Sequence, residues 1–183
     1  MIVMDNFKVM DISESFMKDS YPMEDGGSHS DMMWWDFNNP LTEREIYIDK
    51  TLDKLGIEDR SEYSGVEYWW STRVKGEGLK IHQDKDETLW NTESKMVHPI
   101  VSIITFPIES KISGGDFYFV DEKFGTDPYD FHQFNNSVYQ RISYKHNRLI
   151  VLDPGNQFHG VSEIYSGERH NFVMNLWDQE LKK

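Results

Sequence analysis

The run RLIVLDPGNQFHGVSEIYSGERHNFVMNLW, residues 148–177, decides the fold class. Arg148–Leu152 is a short apolar segment with β-branched residues at its centre. Asp153-Pro154-Gly155 then breaks it, Phe158–Ile164 resumes the pattern, Ser166-Gly167 turns the chain again, and His170–Trp177 follows. Apolar runs of this length, punctuated by proline and glycine, read as strands joined by tight turns. Two chemically active side chains sit at the edges of these segments. His159 follows the aromatic step at Phe158, and Arg169 comes just after the second turn.

Upstream the same pattern extends back to Val66. Val66–Val74, Leu79–Asp84, Pro99–Phe106, Asp116–Val120 and Val138–Tyr144 are further strand candidates, with Gly76–Gly78 and Gly114-Gly115 as punctuation. Roughly eight strands after a helical section predict a double-sheet jelly roll, also called a double-stranded β-helix, of cupin-like type. The expected class is mainly β (α+β), with N-terminal helices packed outside. One domain is expected over 1–183, with a helical flank at 1–65 and the jelly-roll core at 66–178. The clearest helix is Thr42 to Leu55. Thr42 and Glu45 form a capping box, Ile48, Leu52 and Leu55 share a face, and Gly56 follows the end. Asp11 to Lys18 is expected to form a short helix, Ile2–Met4 an edge strand and Gly26–Ser30 a loop, with an aromatic knot at Trp34, Trp35 and Phe37. Asp121–Asn136 has no period and is expected to be a long loop near the barrel mouth, of the kind that serves as a lid.

Composition narrows the function. Among 183 residues, 32 Asp and Glu against 19 Lys and Arg give a net charge of −13, which argues against a backbone-gripping nucleic-acid protein. No cysteine is present, so disulfides, thiolate metal sites and cysteine nucleophiles are excluded. The 14% aromatic content means that much of the buried area must be aromatic. No apolar run approaches a bilayer span, and the start lacks a basic, apolar leader. A soluble cytoplasmic protein is expected.

His82-Gln83-Asp84 lies at the end of the strand candidate Leu79–Asp84. Residues i and i+2 of a strand share a face, so both side chains are placed to ligate one metal. Alone the motif is weak: at this composition about one chance H-x-D is expected. His159 adds a third ligand type downstream. Two imidazoles and one carboxylate match the facial triad of non-haem Fe(II) oxygenases, which leaves the opposite coordination positions open. Arg169 offers a planar fork for a carboxylate. A hairpin between His159 and Arg169 is expected to bring the two together on adjacent strands.

These residues, with Glu67-Tyr68-Trp69, Leu79–Glu87, Gly114–Phe117, Asn147–Pro154, Phe158–Val161 and Gly167–Trp177, resemble the Fe(II)/2-oxoglutarate-dependent dioxygenase superfamily, particularly its prolyl-4-hydroxylase-like branch. The resemblance spans about Glu67 to Trp177 and carries no specific match over residues 1 to 60. It implies His82, Asp84 and His159 as Fe(II) ligands and catalytic centre, and Arg169 as the anchor of the far carboxylate of 2-oxoglutarate. It further implies O₂ as co-substrate, ascorbate as reductant, and hydroxylation of a protein, peptide (prolyl included) or small-molecule substrate with release of succinate and CO₂. Related halogenases carry a small residue in place of the carboxylate, so Asp84 argues for hydroxylation.

Weaker candidates surround this set. Tyr68, Ser102 and Thr105 are each placed to offer a second hydrogen bond to 2-oxoglutarate, Tyr68 foremost; Asn175 offers to orient a ligand, and Trp70 and Trp90 to line the substrate cleft. His98 and His170 are competing histidines without a carboxylate two residues away, and neither is expected to bind metal. Two other readings stand beside the oxygenase. One is a non-redox cupin-like metal- or sugar-binding module, which has no need of Arg169. The remoter one is a nucleic-acid demethylase of the same superfamily, disfavoured by the charge.

Overall fold

The computed structural model describes residues 1–17, 20–22, 28–120 and 140–181. The fold is mainly β, built from antiparallel sheets. Its strands are β1 (Ile2–Met4), β2 (Ser20–Pro22), β3 (Ser28–Ser30), β4 (Met33–Trp35), β5 (Gly65–Arg73), β6 (Leu79–His82), β7 (Val101–Thr105), β8 (Ser113–Gly114), β9 (Phe117–Val120), β10 (Gln140–Ile142), β11 (Leu149–Leu152), β12 (Phe158–Val161), β13 (Ile164–Ser166) and β14 (Arg169–Trp177). Two α-helices, α1 (Glu43–Lys54) and α2 (Glu87–Glu93), and a 3₁₀ turn at Glu14–Met17 accompany them.

The large sheet runs β1-β11-β7-β14-β5-β3-β2, with β4 also paired to β5, and the smaller one runs β10-β9-β12-β6. Ile104, Ile150, Leu152 and Val173 of the large sheet meet Phe117 and Phe119 of the small one in a single apolar cluster, so the sheets stack face to face. The other face of the large sheet is covered by α1 and the 3₁₀ turn. There Phe16, Tyr47, Ile48 and Leu52 pack on Val66, Tyr68, Trp70, Ile103, Leu149, Phe172, Met174 and Leu176. Alternation along β5 and β14 produces this division, because successive side chains leave a strand on opposite faces. Aromatic edges lock the helix side: Phe16 meets Phe172 edge-on at 4.8 Å and Trp70 at 5.7 Å.

Helix α1 begins as its capping box requires. The Thr42 hydroxyl accepts from the Glu45 N–H, and Glu45 accepts from the Thr42 N–H, an arrangement that stabilises such a helix by about 1 kcal/mol. Gly56, at φ +78°, follows the end.

The N-terminal flank is less helical than expected. Among the described residues of the Asp11–Lys18 segment only Glu14–Met17 forms a turn of 3₁₀ helix, while β1 pairs with β11, β3 and β4 pair with β5, and so this flank extends the large sheet. Ser28–Ser30, expected as loop, is strand β3, and the side chain of Ser30 explains it by accepting a hydrogen bond from the Trp70 backbone N–H. The charged tripeptide Lys85-Asp86-Glu87 leads into helix α2. Asp86 is buried and caps α2 by accepting from the Leu89 N–H at 2.8 Å. The 121–136 stretch, expected as a lid, lies outside the described residues.

Candidate metal centre and its cavity

His82 closes β6 and stands directly opposite His159 on β12. The neighbouring Gly160 makes this pairing possible: a Cβ there would fall 2.5 Å from the Tyr118 ring and 2.6 Å from the Leu79 carbonyl oxygen. Asp84 lies just beyond the strand end, so a regular i, i+2 strand pair is not what aims it. It is directed instead by Ser102 of β7, whose Oγ lies 3.1 Å from Asp84 Oδ2. The same Oγ is 2.6 Å from the Asn175 side chain. A serine hydroxyl has one hydrogen, which both Asp84 Oδ2 and Asn175 Oδ1 are placed to accept, so Ser102 ties the two side chains together.

The imidazoles are oriented by their own backbone. His82 Nδ1 lies 2.9 Å from the Lys80 carbonyl oxygen, and His159 Nδ1 lies 3.3 Å from that of Gln157. A carbonyl only accepts, so each Nδ1 carries a proton, and Nε2 is the nitrogen each ring can offer to a metal. Both Nε2 atoms face Asp84 Oδ1, at 3.5 Å from His82 and 3.8 Å from His159. One ligand atom from each of the three residues lies within 4.8 Å of the others, and among the described residues no other such trio occurs. Phe117 stacks on the His159 ring at 5.5 Å and closes one side.

Burial pushes His159 down to about 4, so it is neutral at neutral pH. Burial also works to raise Asp84, but the charge of His82 and the hydrogen bonds from His82 and Ser102 hold its carboxyl well below the usual carboxylate range, and His159 acts the same way only when protonated. With His159 neutral, His82 is the partner that matters. Burial works against its charged form, yet the hydrogen bond and charge of Asp84 raise it. Once a metal displaces the proton that Asp84 favours on His82, two neutral Nε2 atoms beside an ionised carboxylate are the donor set that a divalent first-row ion takes. The residues present fit such an ion.

The trio opens into a cavity of about 390 Å³ between the sheets. Arg169, at the first position of β14, lines it and is only 2% exposed. Its Nε donates to the Gly115 carbonyl at 3.1 Å, its Nη1 donates to Asn171 Oδ1 at 2.5 Å, and the guanidinium lies 4.9 Å from the Phe106 ring centroid. Burial lowers it to about 9, with help from the charge of Arg73. His159 and Arg169 do not share a hairpin. After Val161 the chain leaves the small sheet: Ser162 and Glu163 bond to Asp116 and Gly115, and β13 pairs with β8. The chain then re-enters in the large sheet, so the two residues line one cavity from opposite walls.

Several expected neighbours are elsewhere. Tyr68 faces the helix side, in the core under α1, with its hydroxyl donating to Glu45 Oε1 at 3.3 Å; it lines no part of the cavity and is not placed to hold a ligand there. Thr105 also faces α1, bonding to Tyr47. Trp70 is on that face too, and its neighbour Trp69 lines the cavity instead. Trp90 lies outside the lining. His98 bonds through Nδ1 to the Asp84 carbonyl, and His170 bonds to Thr72 and stacks on Trp70; neither joins the trio. Sequence reasoning missed Arg73 and Glu67, both in the lining. Their signal was the β5 alternation, in which Glu67, Trp69, Ser71 and Arg73 share one face. Burial raises Glu67 to about 7, with the charge of Asp84 adding to it.

No family model and no curated protein matches the chain. Solved structures do. A prolyl-4-hydroxylase from Pseudomonas putida aligns with a TM-score of 0.59 at 14% identity, covering 91% of this chain and 80% of its own. A prolyl hydroxylase from Trichoplax adhaerens, in complex with a hypoxia-inducible-factor peptide fragment, aligns at 0.56 and 13%, covering 97% and 83%. A viral collagen prolyl hydroxylase from Paramecium Bursaria Chlorella virus-1, in its 2OG complex, aligns at 0.53 and 13%, covering 96% and 93%. The chain thus has the fold of the 2-oxoglutarate/Fe(II) oxygenases, and the solved structures it resembles within that superfamily include prolyl hydroxylases.

Proposed function

We propose that residues 1–183 form one Fe(II)- and 2-oxoglutarate-dependent dioxygenase domain. It hydroxylates a C–H bond of a peptide, protein or small-molecule substrate, prolyl side chains among them. The observation that carries this reading is the convergence of His82 Nε2, His159 Nε2 and Asp84 Oδ1 in a cavity that also holds the buried guanidinium of Arg169. A non-redox binding module has no use for that arginine. The stacked sheets, with inward residues of several strands meeting at one site, suit a double-stranded β-helix.

In this reading His82, Asp84 and His159 hold Fe(II), and the bound metal with 2-oxoglutarate and O₂ supplies oxidative decarboxylation to succinate and CO₂ with transfer of one oxygen atom to the substrate. The chain's own residues bind, orient and exclude water. Arg169 takes the far carboxylate of 2-oxoglutarate. Ser102 holds the Asp84 oxygen that faces away from the imidazoles, so that Oδ1 stays aimed at the metal. Phe117, Ile104 and Val173 give the cavity an apolar wall. No proton-transfer dyad is needed. Cytoplasmic location and ascorbate as reductant belong to the same reading; no described helix is long and apolar enough to cross a membrane.

The test is anaerobic addition of 2-oxoglutarate to the Fe(II)-loaded protein, which should produce a weak visible charge-transfer band. Air with ascorbate should then give slow succinate release even without prime substrate. His159→Ala should lose both signals. An iron-loaded wild type that shows neither band nor succinate would sink the proposal.

A further inference from the structure

Arg73 ends β5 directly opposite Arg169 on β14. Residues opposite one another on antiparallel strands project to the same face, and like charges in such a pair repel. Both guanidiniums line the same cavity, and both are buried, at 8% and 2% exposed. Arg73 donates from Nη1 to the Gly78 carbonyl at 2.9 Å, and Arg169 donates to Gly115 and Asn171. All of these acceptors are neutral. Among the described residues neither arginine makes an ion pair with a carboxylate, whereas Arg60 and Arg148 each do. A guanidinium has five N–H donors, so each retains hydrogens after these bonds. Two desolvated like charges side by side, neither paired with a carboxylate among the described residues, are costly for a fold to hold. An anionic ligand removes that cost and supplies the missing acceptors.

We infer that Arg73 and Arg169 form one two-guanidinium carboxylate site, which grips the far carboxylate of the dicarboxylate whose 2-oxoacid end reaches His82, Asp84 and His159. The assignment rests on the oxygenase reading and adds to it a binding residue, Arg73, where Tyr68 was expected. It also makes a specificity statement. Two cations facing one end of the cavity favour a dianionic 2-oxoacid over a monoanionic one of similar shape, because the shorter acid leaves both guanidiniums uncompensated.

The experiment titrates 2-oxoglutarate and 2-oxobutanoate into Mn(II)-loaded protein by calorimetry, so that no turnover is needed. Wild type should prefer 2-oxoglutarate. Arg73→Met should weaken 2-oxoglutarate by about tenfold or more while leaving 2-oxobutanoate within about twofold, since that acid never reached the arginines. Arg73→Lys keeps the charge and drops the fork. It should melt as wild type does and bind 2-oxoglutarate with intermediate affinity, which separates lost recognition from misfolding. Unchanged 2-oxoglutarate affinity in a folded Arg73→Met protein overturns the assignment and leaves the oxygenase reading standing. Equal weakening of both acids also overturns it, as a general loss of cavity shape. A wild type that binds neither acid overturns the oxygenase reading itself, and this site with it.

Discussion

The two faces of β5 and β14 are built from the same two strands for opposite purposes. On the helix side Val66, Tyr68, Trp70, Phe172, Met174 and Leu176 form a continuous apolar core with α1. On the cavity side Glu67, Ser71, Arg73, Arg169, Asn171 and Asn175 put a carboxylate, a hydroxyl, two guanidiniums and two amides into a buried space, beside the apolar Trp69 and Val173. The difference teaches where the stability comes from. Burying a large apolar side chain stabilises by about 1.5–3 kcal/mol, whereas each desolvated polar group costs unless it finds a partner. The helix face is therefore what permits the polar face to exist.

The comparison breaks most visibly at Phe172, which is fully buried and packs edge-on against Phe16 and Tyr47. Phe172→Ala should lose about 3–5 kcal/mol in urea denaturation while the folded fraction still binds Mn(II). A full loss of metal binding in folded protein would mean that the two faces are not separable.

Glu67 tests the polar face next. Its carboxyl stands at about 7 in the folded protein against an ordinary 4.5, so between those values the folded state binds more protons than the unfolded one. The contribution of Glu67 to the stability of the metal-free protein should consequently fall as pH rises from 4.5 to 7, by on the order of 3 kcal/mol across the window. His159, held down to about 4 from an ordinary 6.5, acts with the opposite sign over a window that overlaps most of this one: its contribution is lost as pH falls toward 4, so the two partly cancel in the wild type. In denaturation curves recorded from pH 5 to 8, Glu67→Gln should gain stability relative to the wild type as pH rises to 7. A pH dependence unchanged by the substitution would assign the effect to another group.

The smallest effect is expected at Ser102. Ser102→Ala removes the hydroxyl beside Asp84 Oδ2 without touching a metal ligand. Mn(II) affinity should drop by about tenfold with little change in melting temperature. If affinity is unchanged, Asp84 is oriented by the two imidazoles alone.

Much of this molecule was legible in residue order. The capping box at Thr42 and Glu45, the short strands from Val66 to Trp177 and the edge strand Ile2–Met4 are local matters of propensity, turn chemistry and period. Helix α2 was missed although its signal was local too, an Asp86 cap ahead of Leu89 and Trp90. The charge run Lys85-Asp86-Glu87 concealed it. The trio His82, Asp84 and His159 was found, but for a partly wrong reason, since Asp84 lies off the strand and is aimed by Ser102. Tyr68 and Trp70 were misjudged together, and by the same error of phase. Both faces of β5 carry aromatic residues, so alternation shows which residues go together and not which set looks inward.

Residue order alone carried the β class, the residue types and order of the His82, Asp84 and His159 trio, and the arginine after the last turn. These depend on interactions spanning a few residues, which composition and spacing encode directly. The tertiary structure alone decided which face of β5 is the cavity, that His159 and Arg169 line it from different sheets, and that Arg73 stands opposite Arg169. Each of these is set by strand pairing across long separations. That pairing is chosen by the burial of whole faces, a sum over the fold that no single segment carries.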